Sequence, residues 1–217
     1  MEGSVRSPRG RASVEELRRQ ELIEAAIATI SVRGFDRTTI RDIAAAAGAS
    51  NGSVHYYFDT KEALLRAAVA ESDSQFRERV RAEVARVEGA APKLKRIIEL
   101  CFPEEPAEGP DWAVFVDFWQ QAVRDEAFRS IFEAANVDWL ELLAATIEDG
   151  VRSGELSIRQ TPQQEAVGLA AMIDGFALHS RVTDHVTAEV AREALKARVD
   201  GLTSADRPTG GEGGSLQ

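Results

Sequence analysis

A single cysteine, Cys101, stands in 217 residues, so no disulfide can close within the chain and no thiolate cluster can hold a metal ion. Set in Ile-Ile-Glu-Leu-Cys-Phe, it reads as a small core hydrophobe, with a redox sensor as the alternative. Histidine is almost as scarce, at positions 55, 179 and 185 only. With no glycine-rich phosphate loop, no nucleophile elbow and no metal-ligand spacing, the chain lacks the parts of an enzyme. No apolar run approaches the length of a membrane span. Met1 to Ala12 carries Arg6, Arg9 and Arg11 but no apolar stretch of the kind a secretory leader needs, so a cytoplasmic location is expected. There is no internal repeat. Of seven prolines, three fall between Pro103 and Asp111, which marks that segment as a surface loop.

Positive charge is also short: 26 Lys and Arg face 36 Asp and Glu. The deficit is uneven. Residues 1–61 hold nine basic and eight acidic side chains, and the remainder holds 17 against 28. A protein that coats DNA would be basic throughout; here any DNA contact is local, and the acidic remainder repels the duplex.

What is present is a pattern of helix starts and stops. Thr39 with Asp42 three residues on forms a capping box, and Ile40, Ile43, Ala44 and Ala47 then share one helical face. Gly48 supplies the left-handed residue that ends this helix, and Ser50 is placed to cap a second over Asn51 to Phe58. Two short helices joined so tightly make a helix-turn-helix, with the second helix offered to a major groove and anchored beneath by Val54 and Phe58. Before it, a helix from about Val14 to Arg33 is expected, capped by Ser13 with Glu16 and buried through Leu22, Ala25, Ala26, Thr29 and Ile30. After it, Asp59 and Glu62 suggest another capping box, opening a helix of about Thr60 to Val87, roughly 40 Å long.

In Gly34-Phe35, Thr38-Thr39-Ile40, Ile43-Ala44, Ala47-Gly48, Ser50, Gly52, Tyr57-Phe58 and Lys61, the sequence resembles the TetR family of bacterial transcription regulators. Two departures are Ala49, where the family more often has Val, and His55, where it more often has Tyr. The resemblance implies that Asn51, Gly52 and His55 meet base edges, while Thr39, Ser53, Tyr56, Tyr57 and Lys61 hold phosphates, with Ser50 at the head of the reading helix. Neighbouring tyrosines diverge by about 100 degrees on a helix, so one of the pair packs and the other faces the duplex.

The rest reads as further helices. A short one ends near Phe102. Another begins at Trp112, with Trp112, Phe115, Val116, Trp119 and Val123 on one face, and the next, from about Glu126, carries Phe128, Ile131, Phe132, Ala135, Trp139, Leu142 and Leu143. Residues 112–139 hold seven of the fourteen aromatics, more rings than a bundle needs to fill itself; plain core and a cavity lined by Trp112, Phe115, Trp119, Phe132 and Trp139 are the two readings. Asp117 points about 140 degrees away from that stripe, toward another helix or solvent.

Thr161-Pro162-Gln163-Gln164 opens a helix to about Thr183. Its stripe of Ala166, Leu169, Ala170, Ile173 and Ala177 faces inward, and Val167, Ala171 and Leu178 form a second apolar strip beside Gly168 and Gly175. A helix apolar on most sides is buried on most sides, here by a second subunit. A last helix, about Ala188 to Leu202, adds Ala191, Leu195 and Val199; in the family the final two helices pair with their mates as a dimer. Met172, Phe176 and His179 flank Asp174 and are placed to touch a pocket. Asp174, amid apolar residues, needs a partner, either across a dimer interface or in a cationic ligand.

Phe118-Trp119-Gln120-Gln121-Ala122 and Met172-Ile173-Asp174-Gly175-Phe176 are similar to the choline-responsive BetI branch of the family, which favours a cationic or amphipathic small molecule. The expectation is therefore an all-α protein of about nine helices: an arm (1–12), a helix-turn-helix DNA-binding domain (13–60), a ligand-binding and dimerisation domain (61–202) and a disordered tail (203–217). The function implied is a homodimeric, ligand-responsive regulator, a repressor released from a palindromic operator, with an activator or effector-independent DNA-binding protein as the alternative. No cofactor or metal is expected.

Overall fold

The computed structural model describes residues 8–105, 109–110 and 112–203. Among them are nine helices: α1 (Pro8–Arg33), α2 (Ile40–Ala46), α3 (Asn51–Tyr57), α4 (Lys61–Val84), α5 (Ala90–Cys101), α6 (Trp112–Ala122), α7 (Glu126–Ser153), α8 (Pro162–Val182) and α9 (Ala188–Asp200). The one β-type pairing among these residues is an isolated bridge between Leu156 and Thr203. The rest of the expected arm and tail, residues 1–7 and 204–217, lies outside the described residues.

Local chemistry sets most of the helix ends. Thr39 caps α2 by accepting from the Asp42 amide, and Asp42 returns the bond to the Thr39 amide. Ser50 accepts from the Ser53 amide at the head of α3. Thr161 and Gln164 form the reciprocal pair at α8, with Pro162 at its first position. Two expected starts are corrected. α1 begins at Pro8, not near Val14, which places Ser13 inside the helix and takes residues 8–12 out of the arm; proline's fixed φ suits the first helical turn. α4 is capped by Thr60, which accepts from the Ala63 amide at 3.0 Å, so Asp59 is not the cap.

The chain divides into two compact units, and the division is not linear in sequence. The first takes residues up to Glu78 together with Pro110–Asn136; the second takes Arg79–Gly109 and the chain from Val137 onward. α4 and α7 thus each contribute one end to each unit.

In the first unit, Leu22, Ile23, Ala26 and Ile30 of α1 pack with Ile43, Val54, Phe58, Leu64 and Leu65, and with Val114, Phe118 and Phe128 from much later in the chain. The face of α6 that is buried is Val114, Phe118 and Ala122, not the expected stripe: Trp112, Phe115 and Trp119 are half-buried and Val123 is 76% exposed. In Trp-Ala-Val-Phe-Val-Asp-Phe-Trp nearly every position is apolar, so periodicity alone cannot choose a face.

In the second unit, Leu94, Ile97, Ile98, Leu143, Ile147, Ile173, Leu195 and Val199 form the buried interior. Gly150 admits a close approach, since a Cβ there would lie 2.6 Å from Ala90 Cβ. Polar pins link distant segments. Glu155 accepts from the amides of Ala90 and Ala91 at 2.6 and 2.9 Å, satisfying the start of α5. Lys196 meets Glu99 at 2.6 Å, and the buried Glu165 pairs with Arg198. The Lys196 ammonium holds the Glu99 carboxyl below the usual carboxylate range against its partial burial. Cys101 is buried, and burial, with the Asp174 charge adding, pushes its thiol well above the ordinary range, as a core residue requires and a redox sensor does not.

Candidate DNA-reading site

Helices of seven residues do not persist alone, so α2 and α3 depend on their caps and on the core beneath them. Gly48, at φ +58, turns the chain between the two, and nothing lies within 4 Å of where a side chain there would begin. The constraint at that residue is thus one of backbone conformation, not space. Val54 and Phe58 are buried underneath α3. On the opposite side, Ser50, Asn51, Gly52 and His55 are all exposed. That is the geometry a reading helix needs: its N-terminal turn outward, its hydrophobic anchors inward.

The tyrosine pair divides as the wheel requires. Tyr56 is 71% exposed, and Tyr57 is half-buried against the core, with their rings edge-to-face at 4.9 Å. Ser53 is half-buried at the foot of the Ser50 cap. Lys61, at the start of α4, donates from Nζ to the Asp36 carbonyl at 3.3 Å. The Thr39 hydroxyl is engaged twice, accepting from the Asp42 amide and donating to Asp42 Oδ2 at 2.6 Å, so a phosphate must compete with the cap for it. The Thr39 hydroxyl bond, with its amide and the nearby Arg33 guanidinium, holds the Asp42 carboxyl below the usual range despite some desolvation. Arg33 Nη1 lies 3.1 Å from Asp42 Oδ1, tying the end of α1 to α2.

The expected ligand contacts do not gather in one unit. Trp112, Phe115, Trp119 and Phe132 belong to the first, and Trp139, Met172, Phe176 and His179 to the second. Within α6, the Trp112 ring lies 5.7 Å from Phe115 and 6.5 Å from Trp119, a contiguous half-exposed aromatic face. Phe132 turns toward Phe118, at 6.3 Å, and packs on the core. In α8, Met172 and Phe176 are half-buried and His179 is exposed. Asp174 is half-buried and receives no hydrogen bond or ion pair among the described residues; burial raises its carboxyl to about 6.

Residues 22–68 match the tetR family of bacterial regulatory proteins, and residues 90–204, more than half the chain, match the C-terminal region of BetI-type transcriptional repressors. The chain belongs to the TetR family. Among similar proteins, the HTH-type transcriptional regulator BetI of Escherichia coli O45:K1 is 30% identical over 172 residues, 78% of this chain and 85% of that one. BetI of Cronobacter sakazakii is 26% identical over 179 residues, 80% and 84% of the two chains. A transcriptional regulator from Saccharomonospora viridis, solved in complex with choline, superposes with a TM-score of 0.79 at 26% identity, covering 85% of this chain and 96% of its own. A TetR-family regulator from Rhodococcus sp. gives 0.74 at 25% identity, covering 87% and 100%. This TetR-family protein is a transcriptional repressor with a BetI-type C-terminal region, and not an enzyme.

The carboxylate of Asp117, left by helical-wheel reasoning to another helix or solvent, sits on the backbone of the turn between α1 and α2. No local motif announces such a bond, because its partner is 82 residues away.

Proposed function

We propose that this TetR-family protein is a cytoplasmic homodimer that occupies a palindromic operator and leaves it when a small cationic or amphipathic molecule binds. The observation that carries the reading is the exposed turn of Ser50, Asn51, Gly52 and His55 on a helix anchored by Val54 and Phe58. Asn51, Gly52 and His55 read base edges; Ser53, Tyr56, Tyr57, Lys61 and Thr39 hold phosphates and set register. Two such helices meet successive major-groove faces about 34–36 Å apart.

A second subunit is supported by α8. Its inner stripe is buried, yet Val167 is 53% and Leu178 41% exposed in the monomer, beside Ala171, Gly168 and Gly175, and a Cβ built at either glycine meets no described atom within 4 Å beyond its chain neighbours and the helix's own backbone. Small residues with open space above them let a second backbone come close. The effector class is supported by the choline bound to the Saccharomonospora viridis regulator. It is also supported by two local chemistries suited to a cation: the aromatic face of Trp112, Phe115 and Trp119, and the unpaired carboxylate of Asp174. An effector coupled to DNA binding by about 1–3 kcal/mol changes operator affinity between fivefold and roughly a hundredfold.

The test starts with selection of a duplex from a randomised library by the wild-type protein, followed by titration with choline. Enrichment of a palindrome, and a fivefold or greater loss of affinity with choline but not with a neutral isostere, is the expected result. Enrichment of no sequence would refute DNA reading, and insensitivity to choline and related cationic amphiphiles would refute the effector class. His55→Ala is expected to relax base preference at one position of each half-site, and an unchanged base profile would remove His55 from the reading surface.

A further inference from the structure

Phe35 sits in the turn between α1 and α2, with its side chain buried. Its amide donates to Oδ2 of Asp117 on α6 at 2.8 Å. Gly34, at φ +78, closes α1 through its own amide to the Ile30 carbonyl at 2.7 Å, and a Cβ there would lie only 3.3 Å from the same Asp117 oxygen. The glycine therefore serves two needs at once, a left-handed conformation and room for a carboxylate. One turn further along α6, Gln121 Nε2 reaches Asp36 Oδ1 at 3.5 Å. The Phe35 ring in turn meets Phe128 of α7 edge-to-face at 5.3 Å. The turn is thus gripped at backbone and side chain by residues 117–128, outside the segment 22–68 that matches the family's DNA-binding region.

The same turn sets α2. Thr38 is buried and donates from Oγ1 to the Gly34 carbonyl at 2.7 Å, Lys61 holds the Asp36 carbonyl, and Thr39 caps the helix immediately after. α2 in turn carries α3 through the Gly48 corner. We infer that Asp117 is a positioning residue for DNA reading: its carboxylate fixes the turn that orients α2 and α3 on α1. This rests on the reading of α3 as the helix that meets bases, and it deepens that reading, since it assigns part of operator discrimination to a side chain on a helix that carries no base contact. Without Asp117 the part-buried Phe35 amide loses its acceptor, and the turn shifts to find water.

The experiment uses the full chain, the duplex enriched by the wild-type protein and a scrambled duplex of equal length, with Asp117→Ala and Asp117→Asn. Asp117→Ala should speed hydrogen exchange at the Phe35 amide by tenfold or more and cut the ratio of affinities for the two duplexes by about tenfold, at an unchanged folded fraction and salt slope. Asp117→Asn keeps a side-chain oxygen that can accept, and it should restore most of both. A purely structural role would lower the melting temperature and the active fraction while leaving the affinity ratio of the folded molecules intact, and that outcome overturns the inference. So does continued protection of Phe35 in Asp117→Ala. A wild-type protein that discriminates between no two duplexes would instead overturn the repressor reading, a failure separate from one in which wild type discriminates and Asp117→Ala does so equally well.

Discussion

The two units solve the same problem, holding helices in register, by different means. In the first, α2 and α3 are held by their own caps and by a hydrophobic core assembled from distant parts of the chain. In the second, two ion pairs join helices, Lys196 with Glu99 and Arg198 with Glu165, and the Glu155 carboxylate sits over the start of α5, whereas Arg33 with Asp42 ties α1 to α2 in the first. The reading surface cannot use many such pairs, because its outward side chains must remain available to DNA. Its stability therefore comes from beneath, through residues as late as Phe128.

The sharpest way to break this contrast is Phe128→Ala. Phe128 is buried, lies 5.3 Å from Phe35 and 5.9 Å from Phe118, and receives the Arg66 guanidinium over its ring at 5.5 Å. Its truncation should cost about 3–5 kcal/mol in denaturant unfolding and abolish DNA binding. Amide exchange in α5 and α9 should change far less; equal loss in both units would show that they do not unfold separately.

A smaller effect is expected at Asp174. Its carboxyl, raised to about 6 by burial, stays protonated at pH values where the unfolded chain has already ionised. Folded stability at this residue therefore falls as pH rises from about 4 to about 6 and is constant above that. Asp174→Asn should leave stability at pH 4 unchanged and raise it at pH 7.5 by about 1–2 kcal/mol, after allowance for partial exposure. Urea unfolding at the two pH values checks both, and a wild-type pH profile in the variant would argue that Asp174 is ionised without penalty.

The smallest expected effect compares two matching capping boxes. Thr39→Ala and Thr161→Ala should each cost about 1 kcal/mol of stability. Only the first should weaken discrimination between duplexes, because only α2 supports the reading helix. Equal loss of discrimination from both would erase the distinction between the units.

Much of this arrangement is legible in the residues, for reasons that differ along the chain. The boxes at Thr39 and Thr161, the cap at Ser50 and the corner at Gly48 are interactions within a few residues, so sequence spacing specifies them. The inner stripe of α9 is legible because charged residues interrupt it at helical intervals. α6 is not, since its apolar residues surround the helix and only the fold decides that Phe118, not Phe115, goes under. At α4, Asp59 and Thr60 are both capping residues in adjacent positions, and spacing to Glu62 favours the wrong one. The grip of Asp117 on Phe35 and the joining of residues 110–136 to the reading module depend on contacts between remote segments, which no window of sequence contains.

The solitary thiol offers a further use. Because Cys101 is enclosed and stays protonated at neutral pH, a disulfide-exchange dye can consume it only when the helices around it part. Colour release would then clock the opening of that bundle in the native protein, with no label introduced, and any small molecule that steadies the bundle would announce itself by slowing the clock.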